Sequence, residues 1–196
     1  MCLYLSLNER AVVKMFSENY FHNKEKVLYL HWEKKDSKME TEKIKVSVNQ
    51  GLPMIAEMIK FKYVTDYIGK SSSWIYHKMN HETTTTTSKG FSQSDIDLLN
   101  TVFKEIGEKL LSTRISSVES DDIIESRQKI VVQIKELSKV IRMSYIYINK
   151  LGKNITWYKK RMSCPEKYRF KDEEITLFNM SIVEIGNKLL SIELTL

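Results

Sequence analysis

The chain has 196 residues, of which 42% are hydrophobic and 29% are charged, and its formal net charge at pH 7 is +6. This composition can supply packed cores for one or two small domains, and the basic excess favours a polyanionic partner. Cys2 and Cys164 lack the spacing of disulfide scaffolds or zinc sites and indicate a reducing, cytoplasmic location. No apolar run approaches the roughly 20 residues that span a bilayer, so we expect no membrane partner.

Residues 1–39 form an N-terminal segment that has no counterpart elsewhere in the chain. Six aromatic residues lie in it without a clear period, and the stretch 26–32 has the composition of a strand. Met39 opens METEKIK, which would itself be a suitable protein start. The segment is therefore either a small strand-containing appendage on the unit that follows or the product of a misplaced start codon.

Residues 40–52 carry two conflicting signals. IKVSV at 44–48 alternates between polar and apolar residues as a strand does. Pro53, shortly after it, is typical of the first turn of a helix. The sequence leaves the structure of this stretch open.

Two stretches of the chain occur twice. Residues 69–79 (GKSSSWIYHKM) return as residues 152–162 (GKNITWYKKRM). Residues 91–112 and 170–191 share Phe, Ile, Leu, Asn, Glu, Ile, Gly, Lys, Leu, Leu and Ser at matching positions. A repeated sequence indicates a repeated structural unit. We interpret the identical positions as scaffold and the differing ones as the source of function.

The repeat predicts a mainly α fold with two tandem units, the first at 40–113 and the second at 114–193. The second unit begins with a connector helix, which apolar residues three and four apart predict after the polar stretch SSVESDD. The last helix of the first unit begins near Ser92, which with Asp95 has the spacing of a capping box.

Each unit carries the pattern of a helix-turn-helix motif. A short apolar-patterned helix ends at Gly69 or Gly152, and a second short helix with Trp74 or Trp157 follows. Glycine reaches the left-handed conformation of such a turn at little cost, and the second helix can then lie in the major groove of DNA. The two tryptophans are predicted to anchor the helices to the core.

Positive charge gathers on these repeated segments. Residues 139–171 hold ten Lys or Arg against a single acid, Glu166, and residues 60–90 hold five Lys against two acids. A basic surface that coincides with a helix-turn-helix pattern favours nucleic acid as the polyanionic partner.

The segments YVTDYIGKSSSWIYHKMN and FSQSDIDLLNTVFKEIGEKLLS together resemble a family of small helix-turn-helix proteins. It is a domain of unknown function found in gut-anaerobe bacteria and their mobile elements. The order of helices also resembles the phage-repressor helix-turn-helix class. The second copy keeps Gly152, Lys153, Trp157 and Phe170 but replaces Ser-x-Ser with Asn-Ile-Thr. The resemblance implies DNA binding by analogy of fold, with a different reading surface in each copy.

The second helix of each pattern supplies the candidate contact residues. Side chains that can meet base edges are those of Ser72, Ser73, Tyr76, His77, Asn154, Thr156 and Lys160. Cations that can neutralise phosphates are Lys70, Lys78, Lys153, Lys159 and Arg161.

These observations predict a DNA-binding protein, a transcriptional regulator that reads an asymmetric double-stranded site as a monomeric pseudo-dimer or as a homodimer. The alternative is a non-catalytic protein-interaction or phage accessory module that keeps the fold and binds a protein through the last helix of either unit. The sequence has no glycine-rich phosphate loop, Gly-x-Ser-x-Gly elbow or paired metal ligands. We therefore expect no enzymatic activity, no metal and no cofactor.

Overall fold

The computed structural model describes residues 43–80, 90–116 and 123–196. The strand predicted at 26–32 and the start of the connector helix lie outside these residues. The described part is mainly helical with one short two-stranded parallel sheet, which confirms the predicted mainly α fold class.

The first half of the described chain consists of one strand and four helices. They are β1 (Ile44–Ser47), α1 (Val48–Met58), α2 (Phe61–Tyr67), α3 (Trp74–Met79) and α4 (Gln93–Leu111). The predicted capping box begins α4: the Asp95 N–H donates to the Ser92 hydroxyl at 3.3 Å, and the Ser92 N–H donates to the Asp95 carboxylate at 2.9 Å.

The second half repeats this order of helices and ends in a strand. Its elements are α5 (Ile123–Val140), α6 (Met143–Asn149), α7 (Ile155–Ser163), α8 (Asp172–Ser191) and β2 (Ile192–Thr195). The Lys171 N–H donates to the Glu174 carboxylate at 2.9 Å, so an acidic side chain also caps the start of α8.

The stretch that the sequence left open contains both a strand and a helix. Strand β1 ends at Ser47 and α1 begins at the next residue, which makes Pro53 the sixth residue of the helix. Assigning Pro53 to the first turn was therefore wrong. Val48, Leu52 and Ile55 are buried on one face of α1, and this burial outweighs the backbone hydrogen bond that proline cannot donate.

The sheet joins the two ends of the described chain. Strands β1 and β2 pair in parallel, with Ile44 opposite Ile192 and Ser47 opposite Thr195. The hydrophobic pattern did not predict β2, which follows α8 without a turn residue. Its Leu194 is buried against Gly51 of α1, so the sheet packs on the first helix of the first half.

The two halves meet first at an antiparallel bridge between Ile59 and Ile141. The Lys60 N–H donates to the Val140 carbonyl and the Arg142 N–H donates to the Met58 carbonyl, both at 2.8 Å. Each bridging isoleucine lies between the first helix of its half and the short helix that follows. Both are fully buried, so the bridge belongs to the shared core.

A second contact between the halves places α4 against α8. Gly107 and Gly186 occupy matching positions of the repeated stretch, and both are buried where the two helices approach. A Cβ atom on either glycine would lie 3.0 Å from the carbonyl oxygen of the other. The missing side chains therefore permit the close approach of these backbones.

In a third contact, an asparagine of each half binds the segment that follows the last helix of the other half. The Asn100 side chain of α4 accepts from the Leu194 N–H at 2.8 Å and donates to the Leu194 carbonyl at 3.0 Å. Its counterpart Asn179 of α8 accepts from the Ile115 N–H at 2.8 Å and donates to the Ile115 carbonyl at 2.9 Å. Reciprocal contacts at matching positions are what a two-fold axis generates.

Candidate nucleic-acid interface

Each half turns from its short helix to the next one through a glycine in the left-handed conformation. The φ angle is 68° at Gly69 and 61° at Gly152. In the first half the Lys70 N–H closes the turn on the Thr65 carbonyl at 2.8 Å, and in the second the Lys153 N–H donates to the Tyr147 carbonyl at 2.6 Å. The second bond spans six residues where the first spans five, so the turn of the second half is one residue longer.

The helices after these turns, α3 and α7, are held by different side chains. In α3, Ile75 is fully buried and Tyr76 lies against Phe61 with ring centroids 6.1 Å apart. In α7 no residue is fully buried. Tyr158 stacks on Tyr147 at 5.1 Å, and burial raises the pKa of Tyr158 to about 12. A buried isoleucine therefore fixes α3 to the core, whereas a stacked pair of tyrosines holds α7.

A tryptophan anchors each of these helices to the one that follows. Trp74 meets Phe91 edge to face at a centroid distance of 5.9 Å, and Trp157 meets Phe170 in the same manner at 5.7 Å. Both indoles are half-buried and pack against the core. Edge-to-face pairs of this kind stabilise the packing beyond the area that they bury.

Two of the predicted phosphate contacts, Lys78 and Arg161, have a structural role instead. The Lys78 ammonium lies 3.0 Å from the Asp95 carboxylate, and the Arg161 Nε lies 3.4 Å from the Glu174 carboxylate. The Arg161 guanidinium also lies 4.2 Å from the centroid of the Trp157 ring. Their side chains are only 21% and 15% exposed. Because carboxylates at the starts of α4 and α8 hold these cations, we remove both from the set of phosphate contacts.

Asn154, a predicted base reader, caps the start of α7. Its side-chain oxygen accepts a hydrogen bond from the Trp157 N–H at 2.9 Å. The amide oxygen has a second lone pair, so a contact of Asn154 with a base stays a prediction.

Three of the predicted base-reading residues, Ser72, Ser73 and Tyr76, share one groove. Its volume is about 480 Å³, and it is lined by Lys60, Phe61, Lys62, Ser72, Ser73, Tyr76 and Arg142. The Lys62 ammonium is also paired with the Asp66 carboxylate at 2.9 Å. The groove thus combines three cations with three hydroxyl groups, a chemistry suited to phosphate and base edges.

Sequence reasoning missed the three cations of this groove. Lys60 and Lys62 lie at the start of α2, whereas Arg142 comes from the second half of the chain. One signal was present in the sequence: Lys60 and Arg142 each stand directly before the short helix of their half. Their approach in space depends on the bridge between Ile59 and Ile141, which the local sequence does not reveal.

The other predicted contacts lie on exposed surfaces outside the groove. His77 is exposed on α3, and Thr156, Lys159 and Lys160 are exposed on α7. The Lys160 ammonium lies 5.6 Å from the Tyr168 ring centroid. Lys70 and Lys153 are exposed beside the two turn glycines. The second half therefore presents mainly lysines where the first presents hydroxyl groups.

Membrane-spanning helices and metal clusters are both absent from the described ranges. None of the helices in residues 43–80, 90–116 and 123–196 has both the length and the apolar composition that a bilayer-spanning segment needs. Within those ranges no three His, Cys, Asp or Glu side chains gather as metal ligands would.

Comparison with known proteins matches part of the chain to a family model. Curated proteins and solved structures yield no match to this chain. Residues 48–116, which comprise α1 to α4 and the segment that Asn179 holds, match the model of a family described as a domain of unknown function (DUF5053).

Proposed function

We propose that this protein binds double-stranded DNA through the exposed faces of α3 and α7. In this proposal each half is one copy of a helix-turn-helix unit, and the chain is a covalent pseudo-dimer. The observation that carries the proposal is the groove in which Ser72, Ser73 and Tyr76 lie beside Lys60, Lys62 and Arg142.

The chemistry of the groove suits the edge of a DNA duplex. Hydroxyl groups can donate to or accept from bases and phosphates, whereas ammonium and guanidinium groups neutralise phosphates. Neutralised phosphates release counterions and supply most of the affinity. The serines and Tyr76 would then supply base contacts from the start of α3, and Lys60, Lys62 and Arg142 would fix the register.

The two halves would read different sequences. Ser72 and Ser73, directly before α3, and Tyr76 within it correspond in sequence to Ile155, Thr156 and Lys159 of α7. The reciprocal contacts at Ile59–Ile141, Gly107–Gly186 and the two asparagines hold the halves in a fixed relation. Two-fold readers bind half-sites about one helical turn apart, so we expect two unlike half-sites at that spacing.

Selection of bound duplexes from a random-sequence library tests this proposal, because the selection requires no assumption about the target sequence. The full chain should enrich sequences with two dissimilar motifs about one helical turn apart. A variant with Lys159→Ala and Lys160→Ala should lose the motif read by α7 and retain the other. A wild-type chain that enriches no duplex at low salt would contradict the proposal.

A protein-binding function is the second candidate, because apolar side chains are exposed on the last helix of the second half. Leu177 and Met180 of α8 are 38% and 55% exposed, and Leu98 of α4 matches Leu177 with 38% exposure. Substituting Leu177→Ser and Met180→Ser would abolish binding of a protein partner on this helix and leave DNA binding unchanged. The lysine substitutions on α7 would have the opposite effect.

A further inference from the structure

Lys60 and Arg142 are two basic residues next to the bridge that joins the two halves. Each follows a bridging isoleucine, and each backbone N–H donates to the opposite half at 2.8 Å. The Arg142 Nε also donates to the Ile59 carbonyl at 3.3 Å, so this side chain crosses the bridge toward the first half. The two cations therefore come from different halves and line the same groove.

This pair faces the same surface as the proposed reading helix. Lys60 and Arg142 line the groove that also contains Ser72, Ser73 and Tyr76 at the start of α3. By the reciprocity of the contacts between the halves, the start of α7 would lie on the other side of the same two cations. Lys60 and Arg142 would thus lie between the two reading helices.

Neither cation forms an ion pair with a carboxylate of residues 43–80, 90–116 or 123–196. The ion pairs in these ranges join other groups, among them Lys62 with Asp66 and Lys78 with Asp95. Both side chains are exposed. Their charge is therefore not compensated by an ion pair within these ranges.

We infer that Lys60 and Arg142 lie over the minor groove at the centre of the bound duplex and favour A·T pairs there. This inference rests on the proposed function. When reading helices occupy two successive major grooves on one side of DNA, the minor groove between them faces the protein. A·T-rich minor grooves are narrow and have an enhanced negative potential that attracts basic side chains. A G·C pair widens the groove and adds the guanine amino group to its floor.

Replacing guanine by inosine at the centre of the site distinguishes recognition in the minor groove from recognition in the major groove. This experiment needs only the wild-type protein. Inosine·cytosine pairs lack the minor-groove amino group of guanine but present the major groove of G·C. A selected site with a G·C centre should bind about fivefold or more weakly than one with an A·T centre. An inosine·cytosine centre should restore the affinity of the A·T centre. Equal affinity for all three centres, or an inosine centre that behaves as G·C does, would overturn the inference.

Paired substitutions test which residues are responsible. In the library selection, Lys60→Ala with Arg142→Ala should bind less duplex in total and, among the duplexes still bound, lose the enrichment of A·T between the outer motifs. The surface control Lys139→Ala should keep both the amount bound and the central preference. An unchanged central preference in the double variant would overturn the assignment. Circular dichroism checks the fold of the variant, and if the variant does not fold, the inosine comparison alone decides the inference.

In the selection with the wild-type chain, outer motifs without a central preference refute this inference alone. If the wild-type chain enriches no sequence, the proposed function is refuted as well.

Discussion

Gly107 and Gly186 lie face to face where α4 crosses α8, and the carbonyl oxygen of each occupies the space beside the other's Cα. They are counterparts in the repeated stretch, so the chain packs one helix against its own repeat. Leu190 and Leu111 complete the contact on its two sides. The two glycines therefore lie where the two halves contribute to one core.

Alanine at Gly107 or Gly186 should destabilise the protein. The new Cβ would lie 3.0 Å from a backbone carbonyl oxygen, which cannot move without shifting a helix. Overpacking costs about 1–3 kcal/mol, and the higher helix propensity of alanine returns roughly 1 kcal/mol. We expect each variant to unfold at a lower urea concentration than the wild type. Its free energy of unfolding should be lower by about 1 kcal/mol. Lys104→Ala on the exposed face of α4 is the matched control, and an unchanged midpoint for both glycine variants would contradict the close contact.

The hydrogen bonds of Asn100 and Asn179 to the opposite half should contribute similarly to stability. Asn100→Ala would leave the N–H and carbonyl of Leu194 without their partner, and Asn179→Ala would do the same at Ile115. A buried polar group left unsatisfied costs about 1–3 kcal/mol. Asn100→Asp retains an acceptor for the Leu194 N–H but turns a carboxylate oxygen toward its carbonyl oxygen, so it should also destabilise the protein at neutral pH. Urea denaturation of the three variants measures these losses, and an aspartate variant as stable as the wild type would exclude a contribution from the second bond.

The capping carboxylate of α4 should make stability depend on acid pH. Burial raises the pKa of Asp95, but hydrogen bonds from the Ser92 N–H, Lys78 and the Ser92 hydroxyl outweigh it, so this pKa lies below its ordinary value. Because the folded pKa is lowered, the stabilisation is fully present above the unfolded pKa of about 3.9 and is lost as pH falls through the folded pKa.

Asp95→Asn should therefore be less stable than the wild type at pH 7, and the difference should shrink below about pH 4. Denaturation at a series of pH values measures it. Asp97→Asn, on an exposed position of the same helix, is the control and should show a smaller difference at neutral pH. A difference for Asp95→Asn that stays constant down to the acid limit would contradict the ionised cap.

Arg161 and Lys159 should separate stability from binding, although they lie two residues apart on α7. Arg161→Ala removes the cation that pairs with Glu174, whose side chain is 11% exposed, and should cost about 1–2 kcal/mol of stability. Lys159 is exposed, and its substitution by alanine should change stability by less than about 0.5 kcal/mol. Thermal denaturation and DNA titration of both variants test this contrast. If Lys159→Ala lost more stability than Arg161→Ala, the assigned roles would be reversed.

Local patterns predicted the parts of the fold that depend on local chemistry. Gly69 and Gly152 could be placed at turns because their left-handed conformation is a property of glycine. Ser92 and Asp95 could be placed at a helix start because both hydrogen bonds of the capping box lie within four residues. The repeat itself predicted that the same order of helices would occur twice.

Contacts between the halves could not be predicted in this way. Lys60 and Arg142 line one groove because a bridge joins residues far apart in sequence, and β2 forms because β1 pairs with it. In the sequence, Lys78 and Arg161 look like free surface cations. In the fold, carboxylates at the starts of α4 and α8 lie beside them. The repeated Gly and Asn were interpreted as scaffold, but nothing local indicated that each contacts the opposite half.

The salt dependence of DNA binding tests the central proposal most directly. Fluorescence anisotropy of a labelled duplex, titrated with the full chain at several salt concentrations, gives the slope of log affinity against log salt. Each phosphate contact contributes about −0.9 to that slope, so Lys159→Ala, which removes a predicted phosphate contact, should make it shallower by about 0.9, while Lys139→Ala leaves it unchanged. An anisotropy that does not rise at the lowest salt concentration, or a slope that is the same for all three proteins, would contradict DNA binding through α7.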